Sequence, residues 1–65
     1  MRITLNGEDR DVAATTLEQA LSELGYTESF VATAVNGCFI PKTQRRDQRL
    51  GEGDRIEVVA PMQGG

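Results

Sequence analysis

Met1, Ile3 and Leu5 alternate with Arg2, Thr4 and Asn6, the period-two pattern of a strand with one buried face. Asn6-Gly7 follows directly, and this dipeptide predicts a tight hairpin turn because both residues tolerate positive φ. The return segment, Glu8 to Val12, is mostly charged, and only Val12 is suited to a core. That composition predicts a solvated edge strand. The rhythm then changes: Leu17, Ala20, Leu21 and Leu24 recur at i, i+3, i+4 and i+7, which predicts one amphipathic helix over residues 16–24. Thr15 followed by Glu18 reads as a capping box at its start. Gly25 closes it in the left-handed conformation, with Tyr26 folding back over the last turn.

From Phe30 the run Val31, Ala32, Thr33, Ala34 and Val35 is small and β-branched and ends at Asn36-Gly37, a central strand leading into a second tight turn. Ile40 continues briefly before Pro41. Residues 42–50 carry Arg45, Arg46, Asp47 and Arg49 without apolar periodicity, which predicts a surface loop with room for one helical turn, anchored by Leu50. Gly51, Glu52, Gly53 and Asp54 form the next turn. Arg55 to Ala60 is the last strand, with Ile56 and Val58 on one face and Glu57 and Val59 on the other. Pro61 has no N–H to donate and ends the ladder.

With a single helix available, the economical arrangement lays it across one face of a mixed sheet of four to five strands. Its Leu stripe is then buried against Ile3, Leu5, Val35, Ile56 and Val58. The fold class expected is an α+β roll, with residues 1–61 as the domain and 62–65 as a flexible C-terminal tail.

Composition narrows what such a domain does. A chain of 65 residues holds one modest core and no deep cleft of enzymatic type. The formal charge of −3 gives no broad attraction to phosphate backbones or anionic lipid, so neither nucleic acid nor a membrane is an expected partner. No apolar run approaches the ~20 residues of a bilayer span, and Met1-Arg2 leads into alternating sequence rather than a secretory segment, which makes the cytoplasm the expected location. Cys38 is the only cysteine and there is no His, so a disulfide, a cysteine metal cluster and a Ser-His or Cys-His mechanism are all outside the means of one chain.

The chemistry that remains is at the end. Met62, Gln63, Gly64 and Gly65 carry no strand or helix signal. At an average Gly usage of about 7%, a chance terminal Gly pair arises about once in two hundred sequences. Without Cβ atoms, the two glycines make a thread that fits a narrow channel in a partner. The terminal carboxylate is ionised at neutral pH and is a poor electrophile until activated. Acyl-adenylate formation with Mg-ATP would activate it, but Gly51 and Gly53 flank a Glu and lack a following Lys, so the chain has no phosphate-cradling loop of its own. The chain reads as the substrate of that chemistry, and no cofactor is expected to bind it.

The strand-helix-strand order, Ala34-Val35-Asn36-Gly37 with Ile40-Pro41 beyond, Gly53-Asp54-Arg55-Ile56-Glu57, and the terminal Gly64-Gly65 together resemble the ubiquitin-like β-grasp sulfur carriers of the ThiS/MoaD family, the ThiS branch above all. The likeness spans nearly the whole chain. It implies a β-grasp roll and a role as protein cosubstrate: an ATP-dependent activating enzyme adenylates Gly65, sulfur from a cysteine desulfurase converts it to a thiocarboxylate, and thiazole synthase receives the sulfur in thiamin biosynthesis. Carried over, Gly65 is the modified residue, Gly64 its required neighbour, and Gln63 and Met62 complete the segment that partners recognise. The free protein is expected to be a monomer.

Other residues invite sharper readings and blander ones. Cys38 could relay a persulfide, yet it stands beside a turn with only Lys42 nearby in sequence, which reads as a plain surface thiol. Arg45, Arg46, Arg49 and Arg55 could form a basic docking face, but the acidic residues among them read as a solvated surface. Val59, with Ala34 on the neighbouring strand, is placed to expose an apolar patch on the helix-free face, where activating enzyme and acceptor would dock. Two alternatives share the fold and the Gly-Gly end: the small subunit of molybdopterin synthase, usually longer and more aromatic, and a ubiquitin-like modifier or interaction module.

Overall fold

The computed structural model describes residues 1–26 and 30–60. The elements are β1 (Arg2–Leu5), β2 (Glu8–Asp11), α1 (Leu17–Glu23), β3 (Ala32–Val35), β4 (Cys38–Ile40), a 3-10 turn η1 (Lys42–Gln44) and β5 (Arg55–Val59). The strands form one sheet in the order β2-β1-β5-β3-β4. β1 pairs with β2 antiparallel and with β5 parallel, whereas β3 is antiparallel to both of its neighbours. The last strand therefore lies in the middle of the sheet.

Alternation fixes the register as the sequence predicts. Ile3, Leu5, Val35, Ile40, Ile56 and Val58 are buried on one face beneath Leu17, Ala20 and Leu21 of α1, with Val12, Ala14 and Leu50 closing the sides. Every residue of β2 is exposed, so the charged edge strand is as expected. Asn6 and Asn36 sit at φ 50° and 52°, each followed by a Gly at positive φ, the two-residue turn that matches strand twist.

The helix ends differ in how well they were anticipated. At the C-terminus, Gly25 has φ 95°, its N–H donates to Ser22 O at 3.2 Å and Tyr26 N–H donates to Leu21 O at 2.8 Å, the pair of bonds expected of a glycine-terminated helix. At the N-terminus the cap is one residue later than Thr15 suggests. Thr16 caps the helix, its hydroxyl accepting from Gln19 N, while Gln19 Oε1 accepts from the N–H and hydroxyl of Thr15. Leu17 must be helical to reach the core, so the last non-helical residue is Thr16, and Gln19 takes the role assigned to Glu18.

Arg45 is the second correction. It is buried, not part of a solvated basic face. Its Nε donates to Thr33 Oγ1 at 3.1 Å and its Nη2 to the Val31 carbonyl, while Thr33 donates onward to Ile40 O. Its own carbonyl accepts from Glu18 N at 3.1 Å, so the 42–50 crossing is fastened to both sheet and helix. Arg46, Arg49 and Arg55 are exposed.

Candidate functional site

Met62, Gln63, Gly64 and Gly65 lie outside the described residues, as does Pro61. The site is therefore built from what precedes them: β5, the strand that leads to the tail, and the surface around its end. β5 is held from both sides. On the β3 side the register is Ala32↔Val59, Thr33↔Val58, Ala34↔Glu57 and Val35↔Ile56. On the β1 side it is Thr4↔Arg55 and Leu5↔Ile56. Two side chains add to these ladders. Asn36 Oδ1 accepts from Arg55 N at 2.9 Å and its Nδ2 donates to Asp54 Oδ1 at 3.0 Å. Asn6 Oδ1 accepts from Val58 N at 2.9 Å and its Nδ2 donates to Val58 O at 3.1 Å.

Residues directly opposite on neighbouring strands share a face, so the registers define the surface that α1 leaves uncovered. Val59 stands opposite Ala32, and Glu57, Ala34 and Phe39 form one row across β5, β3 and β4. The two alanines of β3 thus make a low floor between Val59, 62% exposed, and Phe39, 66% exposed. Phe30, at the approach to β3, is 80% exposed. Of the two residues expected in this patch, Val59 is exposed and Ala34 half-buried. Phe39 was missed, although the signal was present: it alternates with buried Ile40, and a two-residue period puts it on the opposite face.

Toward β2 the same face turns polar. Arg2 Nε donates to Asp11 Oδ1 at 3.2 Å, and its guanidinium lies 4.0 Å from Asp9. That hydrogen bond, reinforced by the positive charge, holds the Asp11 carboxyl below its ordinary range and raises Arg2 further. Thr4, Arg55 and Glu57 border a shallow groove between the two Asn-Gly turns. Cys38 is exposed at the start of β4. Among the described residues no group of His, Cys, Asp and Glu is placed to hold a metal ion, and no helix is long and apolar enough to cross a membrane. This surface is half apolar and half charged, and it lies beside a firmly held strand end.

The chain has relatives of known family along nearly its whole length. The family model described as "ThiS family" matches residues 3–65. The sulfur carrier protein ThiS of Thermus thermophilus is 40% identical over 63 residues, covering 97% of this chain and 98% of that protein. A thiazole synthase of Paramagnetospirillum magneticum is 36% identical over 66 residues, covering all of this chain. This chain spans 20% of that longer protein's length. Among solved structures, the crystal structure of the thiamine biosynthesis protein ThiS from Geobacter metallireducens superposes with a TM-score of 0.85 at 25% identity over the whole of both chains. The solution structure of a thiamine biosynthesis protein from the same organism gives 0.78 at 25% identity, over all of this chain and 88% of that one.

Proposed function

The chain belongs to the ThiS family and has its β-grasp fold, and on that premise we propose that it is a sulfur carrier of thiamin biosynthesis whose working group is the Gly65 carboxylate. The observation that carries this reading is the extent of the family match, which runs through residue 65 and so includes the terminal glycines. The match in length to the Thermus sulfur carrier favours this reading over the small subunit of molybdopterin synthase.

In the proposed reaction a partner enzyme binds Mg-ATP and the tail together. A Gly65 carboxylate oxygen attacks the α-phosphorus, pyrophosphate leaves, and the acyl-adenylate becomes the electrophile that the free carboxylate is not. A persulfide supplied through a cysteine desulfurase attacks the acyl carbonyl and displaces AMP. A second thiol then attacks the donor's sulfur of the resulting acyl disulfide, breaking the S–S bond to leave the Gly65 thiocarboxylate and a disulfide on the donor side. Gly64, without a Cβ, lets the partner's groups close around the reacting carbonyl, and Gln63 and Met62 lengthen the recognised thread. The carrier contributes position, not catalysis: it is the cosubstrate, working in the cytoplasm. Thiazole synthase is the proposed sulfur acceptor, supported by the thiazole synthase that contains a region similar to this entire chain. The patch of Ala34, Val59 and Phe39 is the proposed docking surface for both partners, since exposed apolar clusters beside a reactive end mark interaction sites.

Intact-mass spectrometry tests the reading. Incubation with an activating enzyme, Mg-ATP and a sulfur donor is expected to add the mass difference between sulfur and oxygen at the C-terminus. Deleting Gly65, or Gly64→Trp, is expected to abolish that gain while leaving the circular dichroism spectrum unchanged, because the buried core is assembled from residues 3–58. An unmodified wild-type tail under these conditions, or full modification of either variant, would refute it.

A further inference from the structure

The two Asn-Gly turns have the same sequence and backbone conformation, yet their side chains hold opposite ends of β5. β1 reverses at Asn6, whose N–H donates to Ile56 O at 2.9 Å. Beyond that point no β1 residue is left to pair with β5. The next β5 groups facing that side are the N–H and C=O of Val58, because Asn36 N donates to Arg55 O and strand alternation turns Glu57 and Val59 toward β3 in the same way. The Asn6 carboxamide satisfies both Val58 groups, at 2.9 and 3.1 Å. It adds one more rung to the parallel ladder, built from a side chain. Asn36 clamps Arg55 and Asp54, where the strand begins.

We infer that Asn6 is a positioning residue for the tail: by pinning Val58 it fixes the direction in which the chain leaves the sheet toward a partner's active site. This rests on the carrier reading above. From Val58 to Gly65 are seven residues, which reach at most about 25 Å when extended, so a small swing at Val58 becomes a large displacement of the carboxylate. If the base of the thread is loose, only a fraction of encounters has the tail aimed at the channel, and the apparent affinity falls by that fraction. Once the tail is threaded the reacting groups are unchanged. The signature is therefore a rise in KM without a change in kcat.

The decisive variant is Asn6→Gly, which keeps the positive-φ turn and removes only the carboxamide. Asn36→Gly is its matched control, with the same turn chemistry at the far end of the strand. In ATP–pyrophosphate exchange by an activating enzyme, Asn6→Gly is expected to raise KM for the carrier about three- to ten-fold with kcat unchanged, by the competent-fraction relation. Asn36→Gly is expected to stay within about two-fold of wild type, because the competent fraction is set at the strand's other end. Amide hydrogen exchange is expected to quicken at Val58 in the first variant and at Arg55 in the second. A wild-type KM in Asn6→Gly despite faster exchange at Val58, or an equal rise in both variants, overturns the inference while leaving the carrier reading intact. A wild-type chain that supports no exchange reaction overturns the carrier reading and this inference with it.

Discussion

Arg2 reaches from β1 to two carboxylates of the edge strand, and Asp11 is the one it holds by hydrogen bond. The Asp11 pKa is lower in the folded chain than in the unfolded one, so the pair contributes stability at neutral pH and loses it as the pH falls through the carboxylate range. Both side chains are exposed, and solvent screening keeps the effect small. Asp11→Asn is accordingly expected to flatten the acid side of a plot of thermal midpoint against pH, between about 5 and about 3, and molar salt is expected to reduce the difference. Superimposable curves for variant and wild type would show that the pair contributes nothing. Arg45 makes the contrast at this scale. Its burial left no mark in the sequence, because the residues around it lack periodicity and Arg is ordinarily a surface residue. Only the tertiary approach of the Val31 carbonyl and the Thr33 hydroxyl makes its site, and its long apolar stem fills the space between.

At the level of elements, α1 has seven residues, too few to be stable alone. Its helicity depends on the caps and on packing. Glu23 shows how closely local and tertiary structure are joined: near a helix C-terminus its charge is unfavourable, yet its carboxylate accepts from Ala13 and Ala14 N–H at 3.0 to 3.1 Å and ties down the β2–α1 connection. Leu21, 5% exposed, faces the sheet, so Leu21→Ala is expected to cost about 2–5 kcal/mol, measurable as a shifted denaturant midpoint. A variant as stable as wild type would mean that the helix packs on another face. The helix, its glycine stop, both hairpin turns and the split of β5 into buried and exposed faces were all readable, since each rests on a local period or on a turn residue with one conformational job. The exact cap was not, because Thr15 and Thr16 are equally good caps and only the burial of Leu17 decides between them.

For the molecule as a whole, the two faces of the sheet differ in what covers them. α1 and the 42–50 crossing cover one face, and the other presents Phe39, Val59 and the β3 alanines beside the strand that leads to the tail. Phe39→Asp removes the largest side chain of that row without opening a cavity, so the thermal midpoint is expected to move little. Its KM as a substrate of the activating enzyme is expected to rise about ten-fold or more, as loss of an apolar anchor from an interface centre does. Unchanged kinetics would show that partners engage the carrier elsewhere. The family was legible in the sequence, because the strand-helix-strand order, the two Asn-Gly turns and the terminal glycines occur together in one short chain. The exposed apolar row was legible only in part, since Val59 and Phe39 are distant in sequence and become neighbours of the same two alanines only through the β5-β3-β4 order.

That order has a consequence for biosynthesis. β1 and β3 do not pair with each other; each pairs with β5, which is translated after every other element. A ribosome-bound chain that has not yet released residues 55–59 has two hairpins with no ladder between them, linked only through α1 and the 42–50 crossing. The sheet closes only when synthesis has passed Val59, six residues short of Gly65. A chain that terminates upstream of β5 therefore lacks the central strand of its sheet as well as the end that would react.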